Sequence, residues 1–392
     1  MGKIIVVGAG FSGSIIARKI AETGYKVTIV ERREHIGGNA YDEYDENGIL
    51  IQRYGPHFIN TNNYKVIEFL EQFGELVPYD VKLLSYIDGK YVRLPFNFRT
   101  LQQLVGAKNS EPLLAKMRKE FAGRDRVPIF ELINSRDGDI RGYGEMLFEK
   151  AYRTYTAKQW GIPPENIDKS VIERVPMAMN FDERYLNKDF QYLPLKGFTG
   201  IFDKILDHDN IEIRLNTDAF KGLTLDDVSH CVFYEGEPVK CLIFTGAIDE
   251  LFNIKYGRLP YRSLHMEYDY YPKKKVLPCE IISYPQADGY TRKTEYKQFT
   301  FGIGETDTTV VVTEFPLEYD PLSKDANIPY YPVLTEKSNA MYQKYTQEAS
   351  KYKGVFLCGR LAEFKYYNMD VCIEHALQYF ESIKEYLSSN VQ

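Results

Sequence analysis

No apolar run in this 392-residue sequence approaches the roughly 20 residues that a membrane-crossing helix needs. The opening MGKIIVVGAG puts a basic residue ahead of an apolar stretch, but it lacks a signal-peptide cleavage pattern and runs directly into a glycine motif. It therefore reads as a buried strand. Cysteine is scarce: Cys231, Cys241, Cys279, Cys358 and Cys372 are odd in number, scattered and without metal-ligand spacing. That excludes a disulfide framework and fits a reducing, cytoplasmic setting, with no metal expected. Positive charge is not in excess, since 49 Lys and Arg against 55 Asp and Glu leave a net charge of −6. A general nucleic-acid binder, which depends on a basic surface, is thereby excluded. An anionic small molecule is not, because a few local arginines suffice to hold one. Internal repeats and low-complexity linkers are also lacking, so domains are expected to interleave along the chain.

Aromatic residues are plentiful, with 32 Tyr and 23 Phe but a single Trp. Most belong to core or interface, and a minority suit a cleft for a planar ligand. A hydrophobic fraction of 44% and a charged fraction of 27% are those of a packed globular protein, and the length calls for two or three units. Lys3–Gly8 (KIIVVG) reads as a strand buried on both faces, Phe11–Thr23 as a helix stopped by Gly24, and Lys26–Val30 as the next strand. This βαβ opening implies a parallel sheet. Tyr64–Phe73 has helical spacing after Asn62 or Asn63, and LLSYIDGKYVRL has the alternation of a hairpin around Asp88-Gly89. From about Thr100 to Lys158 the composition predicts a helical insert, broken by Pro163-Pro164. Strands return at CLIFTG, SLHMEYDYY, QFTFGIG and TTVVVTEF, followed by the extended Ile328–Pro332. GVFLCG predicts a second buried-type strand, and Met369–Leu387 a closing helix.

Gly8, Gly10 and Gly13 match G-x-G-x-x-G between a strand and a helix, with Phe11 and Ser12 inside the motif. Gly8 permits the tight turn, Gly10 lets backbone approach a pyrophosphate, and Gly13 allows close helix–strand packing. The helix N-terminus then offers free N–H groups and a positive dipole end. Glu31 closes the second strand, where a carboxylate accepts from both ribose hydroxyls. Two features favour FAD over NAD: the second glycine pair in Arg32-Arg33-Glu34-His35-Ile36-Gly37-Gly38-Asn39, and the distant strand GVFLCG-Arg360 leading to a helix that starts near Asp370. A helix N-terminus there suits the negative charge of a reduced flavin. No second dinucleotide fingerprint is found, since Gly142-Tyr-Gly144 and Gly302-Ile-Gly304 lack the third glycine.

Beyond the glycine motif, several stretches resemble the UDP-galactopyranose mutase family: IIVVGAGFSGSIIARKIAE, ERREHIGGNAYDE, YGPHF, YTAKQWG, Arg174–Tyr185, YTRKTEYKQF, NIPYYPV and GRLAEFKYYNMDV. They occur in family order across nearly the whole chain, and YTAKQWG and IPYYP are far more specific than the glycines. The resemblance implies an α/β fold: a Rossmann-like FAD-binding domain (1–80, 190–245 and 350–392), an inserted helical domain (98–189) and an antiparallel β-sheet domain (81–97 and 246–349). It implies an isomerase working on a nucleotide sugar for cell-surface polysaccharide synthesis. Reduced FAD attacks the sugar C1 through N5, and the adduct lets the ring reopen and reclose. A homodimer is also implied. Arg174 and Arg292, on residue type alone surface charges, become the pair that neutralises the diphosphate. His57, in the Gly-Pro-His turn, is placed against the flavin, as are Gly38, Asn39, Arg32, Arg360, Met369, Asp370 and Val371. Tyr155 stacks on the base, Thr156 and Trp160 hold the nucleotide, and Tyr185, Tyr331 and Tyr366 offer hydroxyls to phosphate. The stretch around Arg174 is expected to form a mobile lid.

Four positions depart from the bacterial galactose pattern. Asn60 stands for a histidine, Val81 for an asparagine near the sugar, Asn368 for an aspartate near flavin and sugar, and Ala151 for a phenylalanine at the base. A lost polar group changes which hydroxyl is matched, and alanine beside the base makes room for a methyl group. UDP-galactose, dTDP-fucopyranose and UDP-N-acetylgalactosamine are therefore all candidate substrates. Two other classes share the N-terminal unit: FAD amine oxidases or desaturases, and non-catalytic proteins such as the GDP-dissociation inhibitors. Neither needs a diphosphate clamp.

Overall fold

The computed structural model describes residues 2–161, 172, 175–185, 188–299, 306–323 and 328–389. Strand Lys3–Val7 lies inside a seven-stranded sheet, pairing in parallel with Val27–Val30 on one side and Glu237–Phe244 on the other. Its side chains alternate between two cores. Ile4 and Val6 join the one built on helix Phe11–Glu22, while Ile5 and Val7 join another with Leu242, Phe244 and Tyr345. A strand buried on both faces must be apolar throughout, which is why KIIVV shows no polar alternation. Ile211–Arg214 extends the sheet beyond Val27–Val30, and Val355–Leu357 pairs in parallel with Glu237–Phe244. Helix Phe11–Glu22 ends at Thr23, and Gly24 follows with φ +90°. The closing helix, Met369–Ser389, buries Ile373, Ala376, Phe380 and Ile383 in the core that holds Ile15, Ile16 and Ile20.

A second seven-stranded sheet draws its strands from 83–94 and 261–332. Its order is Tyr331–Pro332, Tyr261–Tyr271, Thr309–Glu318, Arg292–Glu295, Ile281–Ser283, Leu83–Ile87 and Lys90–Leu94. The hairpin turns on Asp88 and Gly89, both at positive φ (49° and 77°), as a tight two-residue loop demands. Between the sheets the chain folds into the helices Phe98–Val105, Ala107–Glu120, Ile129–Ile133 and Gly138–Leu147 around Leu101, Leu114, Ile129 and Tyr143. A π-helical turn, Phe148–Arg153, then feeds helix Thr154–Trp160. The insert starts from a capping box, in which Asn97 Oδ1 accepts from Thr100 N at 3.0 Å and the Thr100 hydroxyl accepts from Asn97 N. The Asn97 amide also donates to the Asp182 carbonyl at 2.7 Å. Asn97→Ala is expected to destabilise the fold by about 2 kcal/mol, the upper end for a lost cap. Urea titration followed by circular dichroism measures it, and an unchanged midpoint would refute it.

The structure departs from the sequence expectations in several elements. Gln298 and Phe299 of the expected strand QFTFGIG lie in a 3-10 turn, Tyr296–Phe299, and the rest of that segment is outside the described residues. GVFLCG is not buried on both faces, because Val355–Leu357 is partly exposed at the sheet margin and burial begins at Cys358. Arg292–Glu295 is a strand that its polar sequence RKTE conceals. Its buried face is a hydrogen-bond hub: the Glu295 carboxylate accepts from Leu277 N at 2.7 Å, the Thr309 hydroxyl at 2.8 Å and the Gln298 amide at 2.6 Å. Helices Gly197–Leu206 and Glu336–Ala349 are further elements beyond the sequence expectations; the latter buries little but Ser338, Tyr345, Glu348 and Ala349.

Candidate functional site

A cavity of about 570 Å³ opens where the parallel sheet reverses direction, between Lys3–Val7 and Glu237–Phe244. That is the usual place for a ligand in such a sheet, and the volume suits a cofactor. Gly8, Gly10, Phe11, Ser12 and Gly13 line it. Gly8 has φ +102°, and a Cβ on Gly13 would stand 2.0 Å from the Gly8 carbonyl oxygen, so the helix reaches its position only with glycine there. No side chain caps the helix N-terminus, which leaves its first N–H groups for a ligand. Gly38 comes so close to Gly10 that a Cβ on it would lie 2.9 Å from the Gly10 Cα. Glu31 is fixed by Ala9 N on Oε2 (2.8 Å) and Arg33 N on Oε1 (2.9 Å), with lone pairs left for ribose hydroxyls. Arg32 is tied through Glu250 (2.7 Å) to the Tyr319 hydroxyl on the far rim.

Arg33, Thr217–Phe220 and Cys372 line the cavity although sequence reasoning gave them no role. Arg33 Nη2 donates to Asn39 Oδ1 at 2.8 Å and its guanidinium lies 4.6 Å over the Tyr54 ring. Its Nη1 is buried with no hydrogen-bond partner among the described residues. An unsatisfied buried donor on the wall, a glycine cradle and an open helix N-terminus fit the anionic pyrophosphate of an FAD. Arg33 was legible as the second basic residue after Glu31. Thr217–Phe220 carry no motif and arrive only through the fold. At the other end Arg360, whose Nη1 donates to the Tyr330 carbonyl at 3.0 Å, and Met369 line the cavity. Asp370 and Val371 do not. Helical geometry puts Met369 and Cys372, three apart, on the cavity side and turns the two residues between them away. Asp370 instead pairs with Lys188 Nζ at 2.8 Å.

His57 also lines the cavity, on a turn closed by its Nδ1 contact to the Gly55 carbonyl at 2.7 Å and by its backbone N–H donating to Gln52 Oε1. Burial lowers its pKa to about 4, more than the Gly55 carbonyl opposes. The imidazole is therefore neutral in the folded protein near pH 7, with one ring N–H already engaged. Because the folded pKa lies below the unfolded value, the unfolded state binds the extra proton between about pH 6.5 and pH 4. Stability is expected to fall as the pH drops through that window, with His57→Asn losing less than wild type. Denaturation midpoints at pH 7 and pH 5 check this, and parallel losses in the two proteins would refute it.

Gly55, two residues before the cavity-lining His57, packs toward Arg292: a Cβ on it would lie 3.5 Å from Arg292 Nη2. Arg292 Nε and Nη2 each donate to Glu314 at 2.7 Å, a bidentate pair that aims the guanidinium. Burial alone would depress its pKa, but Glu314 more than offsets this and keeps it charged. Nη1 makes no hydrogen bond among the described residues. Tyr331 lies within its electrostatic reach and belongs to three rings in mutual contact, with Trp160–Tyr331 at 5.7 Å, Trp160–Tyr366 at 5.8 Å and Tyr331–Tyr366 at 5.5 Å. The Tyr331 hydroxyl is buried with no hydrogen-bond partner among the described residues. Tyr155 and Tyr185 both lie within the electrostatic reach of Arg292, and burial raises both phenols, so they remain donors near neutral pH. Thr156 is buried one residue beyond Tyr155 on the same helix.

The remaining sequence-predicted positions fall elsewhere. Arg174 lies outside the described residues, although 175–185 of the stretch expected as a lid lie within them. Asn368 is exposed just ahead of helix Met369–Ser389, two residues after Tyr366. Val81 and Ala151 are packed in hydrophobic cores, whereas Asn60 carries a buried Oδ1 with no partner among the described residues. Cysteine spacing gave no metal signal, yet the fold gathers Cys358, Glu363 and His375 with their donor atoms within 4.8 Å. Glu363 Oε2 there accepts from Gly359 N at 2.8 Å and lies 3.2 Å from His375 Nδ1, an internally satisfied network. No helix among the described residues is long and apolar enough to cross a membrane.

Residues 150–366 match the family model for UDP-galactopyranose mutase, and residues 6–73 match one for an NAD(P)-binding Rossmann-like domain. The chain is 35% identical over 380 residues to a dTDP-fucopyranose mutase of Escherichia coli, covering 96% of this chain and 97% of that one. It is likewise 35% identical over 388 residues to a probable UDP-galactopyranose mutase of Klebsiella pneumoniae, covering 98% and 95%. A crystal structure of reduced UDP-galactopyranose mutase superimposes with a TM-score of 0.72 at 18% identity, over 100% of this chain and 97% of that one. With full-length relatives spanning both the dinucleotide cleft and the arginine-bearing sheet, the chain belongs to the UDP-galactopyranose mutase family and is an FAD-binding isomerase.

Proposed function

We propose that the chain interconverts the pyranose and furanose forms of a nucleoside-diphosphate hexose, in which Arg292 and Arg174 hold the diphosphate. One observation carries this reading: a half-buried guanidinium held by Glu314 lies within electrostatic reach of the unpartnered Tyr331 hydroxyl and packs against Gly55, two residues before the cavity-lining His57. Gly8, Gly10, Glu31, Arg33 and His57 would hold FAD, which when reduced would supply an electron-rich N5 as the nucleophile for the anomeric carbon. The protein's part is to stabilise the departing diphosphate. Arg292 is already neutralised by Glu314, so the pair carries little net charge, and its value lies in a donor fixed before charge develops. A second cation is then needed, which is the role given to Arg174. Tyr155, Tyr185, Tyr331 and Tyr366 add hydroxyls to phosphate or base, and Trp160 closes the apolar side. Neutral His57, its Nδ1–H spent on the Gly55 carbonyl, leaves Nε2 as an acceptor for the flavin edge without a competing positive charge.

For the sugar, UDP-galactose is the leading candidate. Buried apolar Val81 and the unsatisfied Asn60 amide oxygen favour a second reading, dTDP-fucopyranose or UDP-N-acetylgalactosamine, in which the pattern of hydroxyls differs. The test is to incubate dithionite-reduced enzyme with each of the three and separate pyranose from furanose by chromatography. Furanose from at least one is expected, and none from any of them would end the proposal. Consumption of oxygen in step with substrate would point to an oxidase instead.

A further inference from the structure

Helix Thr154–Trp160 and strand Arg292–Glu295 come from distant parts of the chain, and one side chain joins the helix to the turn before the strand. Lys158 Nζ donates to the carbonyl oxygens of Tyr284 (2.7 Å), Ala287 (2.6 Å) and Tyr290 (2.8 Å). An ammonium has three N–H donors, so these three acceptors use all of them and leave none for a ligand. The carbonyls belong to the turn between Ile281–Ser283 and Arg292–Glu295, which closes on itself through Tyr284 N donating to the Thr291 carbonyl at 2.8 Å. Lys158 thus occupies the middle of a loop whose last bonded carbonyl lies two residues before Arg292. From the opposite side buried Arg262 grips the same helix, Nε donating to the Gln159 carbonyl at 2.9 Å and Nη2 to the Lys158 carbonyl at 3.2 Å.

We infer that Lys158 is a positioning residue: it locks the helix carrying Tyr155, Thr156 and Trp160 onto the turn that delivers Arg292, and so sets the distance between the aromatic wall and the guanidinium. The inference rests on the nucleotide-sugar reading above. Removing the ammonium strands three carbonyls that must turn toward water, and the turn that holds Arg292 relaxes with them. A displacement of about 1 Å in such a clamp is enough to cost roughly a hundredfold in turnover.

The test uses FAD-loaded enzyme and titrates UDP and dTDP by calorimetry against wild type, Lys158→Met, Arg292→Ala and the double variant. Lys158→Met is expected to weaken the preferred nucleotide by about tenfold or more while flavin content stays at the wild-type level, because Lys158 does not line the cofactor cavity. In the Arg292→Ala background the same change is expected to cost less than about threefold, since both act through one element. Lys158→Gln replaces Lys158→Met in the comparison if the latter fails to fold. Wild-type affinity in Lys158→Met, or an undiminished effect in the Arg292→Ala background, would overturn the inference. Wild-type affinity in Arg292→Ala would instead remove the nucleotide-site reading beneath it.

Discussion

Arg292→Ala is expected to lower kcat by about two to three orders of magnitude, the usual cost of deleting one charge-stabilising donor. Flavin content should hold, because Arg292 is not part of the cofactor cavity wall. The variant has a second consequence that must be separated from the first. Glu314 is 2% exposed, and without its partner it becomes a buried, uncompensated carboxylate, at about 3–5 kcal/mol of stability. Arg292→Lys distinguishes the two effects. It keeps a cation beside Glu314, so most of the stability returns, but a lysine cannot hold Glu314 through two nitrogens and still present a third. Its kcat should remain at least about tenfold down. Steady-state kinetics beside urea denaturation resolve the pair. Full activity in either variant would show that the guanidinium does not face the leaving group.

Gly13→Ala is expected to yield protein that retains little flavin. The added methyl would meet the Gly8 carbonyl at 2.0 Å, far inside contact distance, so helix Phe11–Glu22 must lift off the strand beneath it. That costs about 1–3 kcal/mol of packing and spoils the N–H array at the helix start, weakening FAD by about a hundredfold. Gly24→Ala is the control. It forces a side chain onto positive φ, +90°, a strain that Gly13→Ala does not carry, but meets nothing within 4 Å and sits at the far end of the same helix. A loss of about 1 kcal/mol with full flavin is expected there. The flavin-to-protein absorbance ratio of the purified variants decides the matter, and equal flavin in both would refute the steric account.

Much of the cofactor half was legible in the sequence because its signals are local. A buried strand, a glycine turn, a helix and a carboxylate follow one another within Lys3–Glu31, and each element's chemistry is complete in its own few residues. The substrate half was legible only by resemblance. Arg292 sits on a strand spelled RKTE whose buried face is a carboxylate hub instead of an apolar stripe, so no periodicity announces it. Glu314, which aims it, lies inside the apolar-looking TTVVVTEF, and nothing in either segment says that they face each other. Asp370 and Val371, which the resemblance sets against the cofactor, do not line the cavity, since neighbours along a helix face different ways. Arg33 was within reach, since a second basic residue directly after Glu31 is an unusual thing to put beside a dinucleotide unless an anion needs it.

The parallel sheet collects strands at Lys3–Val7, Val27–Val30, Ile211–Arg214, Glu237–Phe244 and Val355–Leu357, with the chain leaving and returning between them. Any recombination with a homologue at a single junction between residues 31 and 354 would mix two parents' strands within one hydrogen-bonded layer. Transplanting substrate preference from a relative thus calls for paired junctions bracketing an excursion, for example on either side of the helical insert, and the shortest such graft leaves the flavin-holding layer of a single origin.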